Sequence, residues 1–218
     1  MIIKPTFVTL PADDFILASA SAIRAKILRD SGLDFCQYPV NIDEEAVRMA
    51  GIAEMIPPSD IAIALAEMKA SVAVQLLSLE RQKLPSYILG CDQILVCEDQ
   101  IYNKPVDAVA AKSQLMALSG KTHQLFTAVV LFRHGNRIWH YLSVADITMR
   151  ELESDFIDVY LKHVGDVALI SPASYQIEGL GAQLLSNIKG CHYGILGIPL
   201  LELLAILREH GLTVHEKK

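Results

Sequence analysis

Cysteine is sparse in this 218-residue chain, and its four copies (Cys36, Cys91, Cys97 and Cys191) are scattered without one Cys-x-x-Cys pair. That spacing excludes a zinc knuckle and a disulfide scaffold. Neither Cys91 nor Cys97 has a sequence-adjacent base, so each reads as a buried hydrophobe rather than a nucleophile. His123, His134, His140, His163 and His192 lack the i,i+4 pairing of a helical metal site. Gly179, Gly181, Gly190, Gly194 and Gly197 come late and lack the strand-before, helix-after frame of a dinucleotide-binding turn. A long apolar run is missing as well. The longest, residues 194–207, is broken by Pro199 and Glu202 and is too short to span a bilayer. Residues 1–14 hold one Lys, two Pro and two Asp, unlike a secretion signal, so a soluble cytoplasmic protein is expected. There is no basic surplus: a net charge of −6 argues against nucleic acid as partner. A small anionic ligand stays open, because a few local cations or a divalent metal outweigh the global field at close range.

What is present is a hydrophobic share of 52%, enough for a substantial core in one domain or in two small lobes sharing a cleft. Phe15–Ala18 reads as a buried strand and residues 23–31 as a helix closed by Gly32. A second strand is expected over residues 35–40, then irregular chain over 46–58. Ser59 reads as the N-cap of a long helix with Ile61, Leu65, Met68, Val72 and Leu76 as its apolar stripe and Lys69 on the edge. Residues 87–92 suggest a short strand ending in a carboxylate, and residues 94–97 with Gln100–Tyr102 a hairpin around Glu98-Asp99. Ala108–Leu118 is expected as a helix. Two long strands near residues 123–132 and 138–148 meet at His134-Gly-Asn136, and residues 151–163 form a further helix. Irregular chain over residues 165–197 precedes a last helix, opened by Pro199 and ended near Gly211. The alternation predicts a mixed α/β domain whose sheet curves into two lobes around a cleft. A segment boundary near residue 120 is compatible with this, without an independent domain there.

Several polar positions exceed what a bare fold needs. Ser19 and Ser21 fall where the first strand turns into a helix, with free N–H groups and the positive end of a dipole, a ready seat for phosphate. Arg24 follows one turn later. Asp92 ends a buried strand, Lys104 precedes a proline, Lys69 borders an apolar face, and Asp43, Glu44 and Glu45 cluster. Two carboxylates from separate segments, with lysines around a phosphate-binding turn, suit a phosphoanhydride hydrolase. The acids would hold Mg²⁺ or Mn²⁺ and activate water, and the cations would stabilise phosphoryl charge. The same residues also suit plain ion pairs and a plain helix cap.

The order of segments carries a resemblance. Leu17-Ala-Ser-Ala-Ser21 with Arg24, Ile42-Asp-Glu44, Ala66-Glu-Met-Lys-Ala70, Leu89-Gly-Cys-Asp92, Asn103-Lys-Pro105, Leu118-Ser-Gly-Lys-Thr-His123, Ile177-Glu-Gly179 and Gly197-Ile-Pro-Leu200 occur in register. Together they resemble the Maf family of nucleoside triphosphate pyrophosphatases over residues 15–211, so that residues 1–218 read as a single Maf-like domain. The resemblance implies an elongated mixed sheet with two lobes around a central cleft, akin to the ITP pyrophosphatases, often as a homodimer. It implies cleavage of a nucleoside triphosphate to monophosphate and pyrophosphate with Mg²⁺, Mn²⁺ or Co²⁺, and no nucleic-acid or membrane partner. Asp92 matches the family's proton acceptor, and Glu44 an acid that helps hold metal or water. Lys69 and Lys104 match its phosphate-side lysines, and Ser19, Ser21 and Arg24 its phosphate-gripping turn. The family takes its name from blocked septum formation on overexpression, so a nucleotide-binding regulator of division with little turnover is the alternative.

The departures point to substrate. The family turn is Ser-Pro-Arg-Arg or Ser-Pro-Trp-Arg; here it is Ser21-Ala-Ile-Arg24, and Ile23 offers only apolar contact. Gln93 and Glu178 stand where other branches carry Thr and Gln, which resembles the branch acting on 7-methyl-GTP rather than the one acting on dTTP and UTP. A carboxylate at 178 only accepts, suiting the N1–H and N2–H₂ donors of guanine, and N7 methylation makes that base cationic. Residues 170–174, Ile-Ser-Pro-Ala-Ser, lack the family's Ala-Gly-Ala and nearby basic residue, so reduced activity on ordinary nucleotides is expected.

Overall fold

The structure, a computed structural model, describes residues 11–212. Its strands are β1 (Phe15–Ala18), β2 (Cys36–Gln37), β3 (Tyr87–Cys97), β4 (Gln100–Tyr102), β5 (Thr122–Arg133), β6 (Asn136–Met149) and β7 (Leu185–Lys189). They form a mixed open sheet in the order β2-β1-β3-β5-β6-β7, with β4 paired to β3. The helices are α1 (Ala22–Asp30), α2 (Glu44–Ala53), α3 (Pro58–Glu80), α4 (Ala108–Leu118), α5 (Ser154–Val164), α6 (His192–Ile195) and α7 (Leu200–Glu209), with short 3₁₀ turns between them. The mixed α/β class expected from the alternation is what the chain adopts. By contact density it divides into two compact units. One comprises the chain through Asp92, Thr127–Leu142 and the part from Gly197 onward; the other comprises Gln93–Phe126 and Ser143–Leu196.

In the first unit β1 runs parallel to both β2 and β3, Ala18 lying opposite Gly90. All four β1 residues are buried. Helix α3 packs on β3 through small residues: a Cβ on Gly90 would stand 2.0 Å from the Ala66 carbonyl oxygen, so only glycine admits the helix there. This approach sets the helix face. Ile61, Ala62, Leu65, Ala66, Lys69, Ala70, Ala73 and Leu77 turn inward, while Met68 and Leu76 are 38% and 39% exposed. The expected stripe is therefore rotated, because alanines rather than the largest apolar side chains make the close contact, and Lys69 lies within the buried face. Among the described residues α3 is the one helix long and apolar enough to cross a bilayer by length and composition, a property the broken run at 194–207 did not suggest. Its N-cap is Pro57, and Ser59 lies inside the first turn.

Other boundaries shift for local reasons. Residues 46–53, part of the stretch 46–58 expected as irregular, are helical within α2 because the Asp43 side chain accepts from the Ala46 N–H and Glu44 pairs with Arg48 one turn on. β3 runs on through Asp92 to Cys97 instead of stopping at the carboxylate. The second strand shrinks to two residues, and β7 arises in the glycine-bearing stretch expected to be irregular, antiparallel to β6. The hairpin tips behave as expected: Glu98 and Asp99 have φ of 50° and 65°, His134 and Gly135 48° and 81°.

The second unit closes on a core that includes Leu115, Leu118, Leu125, Ile147, Ile157 and Leu184. His123 lies in it, fully buried, 2.7 Å from the Tyr175 hydroxyl, with Nδ1 unbonded. Burial disfavours the imidazolium and lowers its pKa from 6.5 to about 4. The unfolded chain therefore binds this proton more readily than the native one. Stability is fully present above pH 6.5 and is lost as pH falls through about 4. We expect a loss of about 2–3 kcal/mol over that window in urea titrations, and a His123→Gln variant, less stable at pH 7, with a flatter acid limb.

Candidate active site

Strand β1 ends at Ala18, and the chain turns at once into α1. Ser19 Oγ accepts from the Ser21 N–H at 3.3 Å and from Arg24 Nη1 at 3.2 Å; Ser21 Oγ caps the helix through the Arg24 N–H at 3.4 Å. Arg24 is 9% exposed and does more than close on an anion. Its Nε donates to the Gly197 carbonyl at 2.9 Å and its Nη1 to the Cys91 carbonyl at 3.0 Å. A Cβ on Gly197, at φ +105°, would sit 2.8 Å from that Nε. These bonds tie the phosphate-type turn to β3 beside Asp92 and leave Nη2 turned to no partner among the described residues. Gln37, which sequence reasoning passed over, holds the turn from the other side by donating to the Ser19 carbonyl at 2.8 Å. Ile23 is half-buried.

The acids and the lysine meet by simple register. Gly90 receives Ala66 of α3; one helical turn on from Ala66 is Lys69, and two residues on from Gly90, on the same face of β3, is Asp92. Lys69 Nζ lies 2.6 Å from Asp92 Oδ1 and 2.6 Å from Glu44 Oε1. Glu44 arrives from α2, which approaches α3 through Gly51, where a Cβ would stand 2.6 Å from Ile61 Cδ1. Arg48 completes the group: Nη2 is 2.8 Å from Glu44 Oε2 and 3.8 Å from Asp92 Oδ2. Burial would raise the Glu44 carboxyl, but the Lys69 charge and hydrogen bonds from Lys69 and Arg48 prevail and bring it down to about 2. Asp92 is 2% exposed, and its Oδ2 is buried without a hydrogen bond. Burial pushes the neighbouring Cys91 thiol up to about 11, which leaves it an inert core residue. Of the acidic run, Asp43 is a cap, Glu44 a member of the cluster, and Glu45 is exposed.

Ser19, Ser21, Arg24, Glu44, Lys69 and Asp92 thus all belong to the first unit. The second unit carries the other candidates. Gln93 donates to the Gly194 and Ile195 carbonyls at 3.2 and 3.0 Å. Lys104 is exposed, and Glu178 is exposed on the turn before the 3₁₀ segment Leu180–Leu184. Nearby, Ala173 and Ser174 take φ of 59° and 61°, a left-handed pair that non-glycine residues adopt at some cost in strain.

Among the described residues no three His, Cys, Asp or Glu side chains form a closed cage for a metal. Two carboxylates, one with a buried and unbonded oxygen, nevertheless fit a hard divalent ion that keeps waters and takes further ligands from phosphate.

Residues 14–210 match the family described as Maf-like protein. The chain belongs to this family. Among relatives of this Maf-like chain, the 7-methyl-GTP pyrophosphatase of Brucella abortus biovar 1 is 43% identical over 193 residues, 88% of this chain and 94% of the relative. The nucleoside triphosphate pyrophosphatase of Paramagnetospirillum magneticum is 40% identical over 196 residues, 90% and 98% of the two chains. That of Nitrobacter hamburgensis is 44% identical over 198 residues, 90% and 94%. The order of motifs along the sequence is thereby borne out as a family signature.

Proposed function

We propose that the chain hydrolyses a nucleoside triphosphate to the monophosphate and pyrophosphate, with 7-methyl-GTP as preferred substrate. The observation that carries the reading is the Asp92 carboxylate, one oxygen held by Lys69 at 2.6 Å and the other buried with open lone pairs, in the same unit as the Ser19–Arg24 turn. Relatives named as pyrophosphatases, some of them for 7-methyl-GTP, support it.

Ser19, Ser21 and the α1 N-terminus, with Arg24 Nη2, bind phosphoryl oxygens. Asp92 Oδ2 takes the proton from water as its oxygen adds to phosphorus and the α–β anhydride bond breaks, pyrophosphate leaving. Lys69 fixes that carboxylate's orientation through its 2.6 Å contact to Oδ1. Glu44 and Asp92 would hold the divalent cation, which when bound neutralises phosphate charge and acidifies water. Lys104, exposed, is assigned a phosphate-side role by its match to the family motif. Glu178 accepts from the guanine N1–H and N2–H₂.

A screen of standard and modified nucleoside triphosphates with Mg²⁺ and with Mn²⁺, measuring pyrophosphate, tests the reading. 7-Methyl-GTP is expected to rank first. Glu178→Gln is expected to shift preference from methylated guanine toward other bases by about tenfold or more in kcat/KM. An unchanged ranking would remove residue 178 from base recognition, and tight binding without pyrophosphate under either metal would favour the regulator instead.

A further inference from the structure

The four charges around Asp92 form a closed ring, and the oxygens are divided between two cations. Lys69 takes Glu44 Oε1 and Asp92 Oδ1; Arg48 faces Glu44 Oε2 at 2.8 Å and Asp92 Oδ2 at 3.8 Å. Two carboxylates against two cations leave the ring neutral, so an incoming dication meets no net attraction. The two cations are not equally held. Lys69 is 8% exposed on the packed face of α3 and makes two short contacts. Arg48 rides on α2 with its side chain 14% exposed, makes one hydrogen bond among the described residues, to Glu44, and touches Asp92 across a gap too long for a second.

We propose that Arg48 is a resident stand-in for the divalent cation. Without nucleotide its guanidinium neutralises Glu44 Oε2 and Asp92 Oδ2; when a metal–triphosphate complex arrives, Arg48 withdraws from the two carboxylates and pairs with a phosphoryl oxygen. The exchange couples metal binding to nucleotide binding, since phosphate offers Arg48 a replacement partner and the departing charge uncovers the carboxylates. Arg48 is thus a positioning and coupling residue, one that the sequence alone did not single out. The proposal rests on the reading of this cluster as the triphosphate site.

Manganese titration of the nucleotide-free protein, followed by the EPR signal of free Mn²⁺, reads the exchange without turnover. Arg48→Gln is expected to bind Mn²⁺ about tenfold or more tighter than wild type. Its KM for the nucleotide is expected to rise about tenfold, while kcat falls less. The gain in Mn²⁺ affinity is expected to vanish in Glu44→Gln/Arg48→Gln. Arg48→Met, which keeps the stem, replaces the Gln variant should that one fail to fold. Mn²⁺ binding in the variants no tighter than in wild type would overturn the proposal, as would a gain that survives loss of Glu44. A wild-type protein that hydrolyses no nucleotide would sink the pyrophosphatase reading without deciding the manganese result, so the two failures are distinguishable.

Discussion

Asp92→Asn is expected to lower kcat for pyrophosphate release by about 10³-fold, in the middle of the range for losing a general base, while the protein stays folded and still binds nucleotide. The amide keeps the shape of the carboxylate and can still accept from Lys69 Nζ, now at 2.6 Å from Oδ1. What it loses is the anionic Oδ2, the buried oxygen that no hydrogen bond occupies. KM should move less than kcat, because the Ser19–Arg24 turn and its backbone donors are untouched. A variant with wild-type turnover would remove Asp92 from the chemistry. One that lost nucleotide binding along with activity would make it a binding group only.

Lys69→Met carries the second large effect, and it falls on stability as well as rate. Lys69 joins two carboxylates, one of them on a residue 2% exposed, and its removal leaves them facing each other with Arg48 as their one counter-charge among the described residues. Breaking such a buried pair from one side costs about 3–5 kcal/mol, since the stranded charge remains. Chemical denaturation should therefore show Lys69→Met far less stable than wild type, and Lys69→Met/Asp92→Asn recovering part of the loss. Activity should fall in both. Equal stability of the single and double variants would mean that the lysine is not the partner of Asp92 in solution.

The sequence exposed more of the chemistry than of the geometry behind it. The turn residues Ser19, Ser21 and Arg24 and the acids Glu44 and Asp92 were visible as polar groups where burial or helix starts made them expensive. The helical spacing alone puts Lys69 at the edge of α3's buried face, because the stripe drawn through Met68 and Leu76 assumes that the largest apolar side chains face inward. In fact the glycine at position 90 invites alanines, and that rotates the lysine in. Arg48 and Gln37 gave no signal: an arginine on an apparently irregular segment and a glutamine in a two-residue strand acquire meaning only when α2 and β2 are placed. Arg24 carried a signal that was half right, since two of its three guanidinium nitrogens are spent on the Ser19 Oγ and the Cys91 and Gly197 carbonyls, as structural ties. β7 escaped because its exposed, polar residues carry no alternation strong enough to mark a strand.

The measurement closest to the centre of this account is a crystal structure with Mn²⁺ and an α,β-methylene analogue of the nucleoside triphosphate, which keeps the phosphate chain but resists cleavage. The account predicts phosphoryl oxygens on the Ser19–Arg24 turn and manganese on the carboxylates of Glu44 and Asp92, with Lys69 still bound to the latter. A triphosphate seated away from Asp92, or manganese held by other residues, would contradict it.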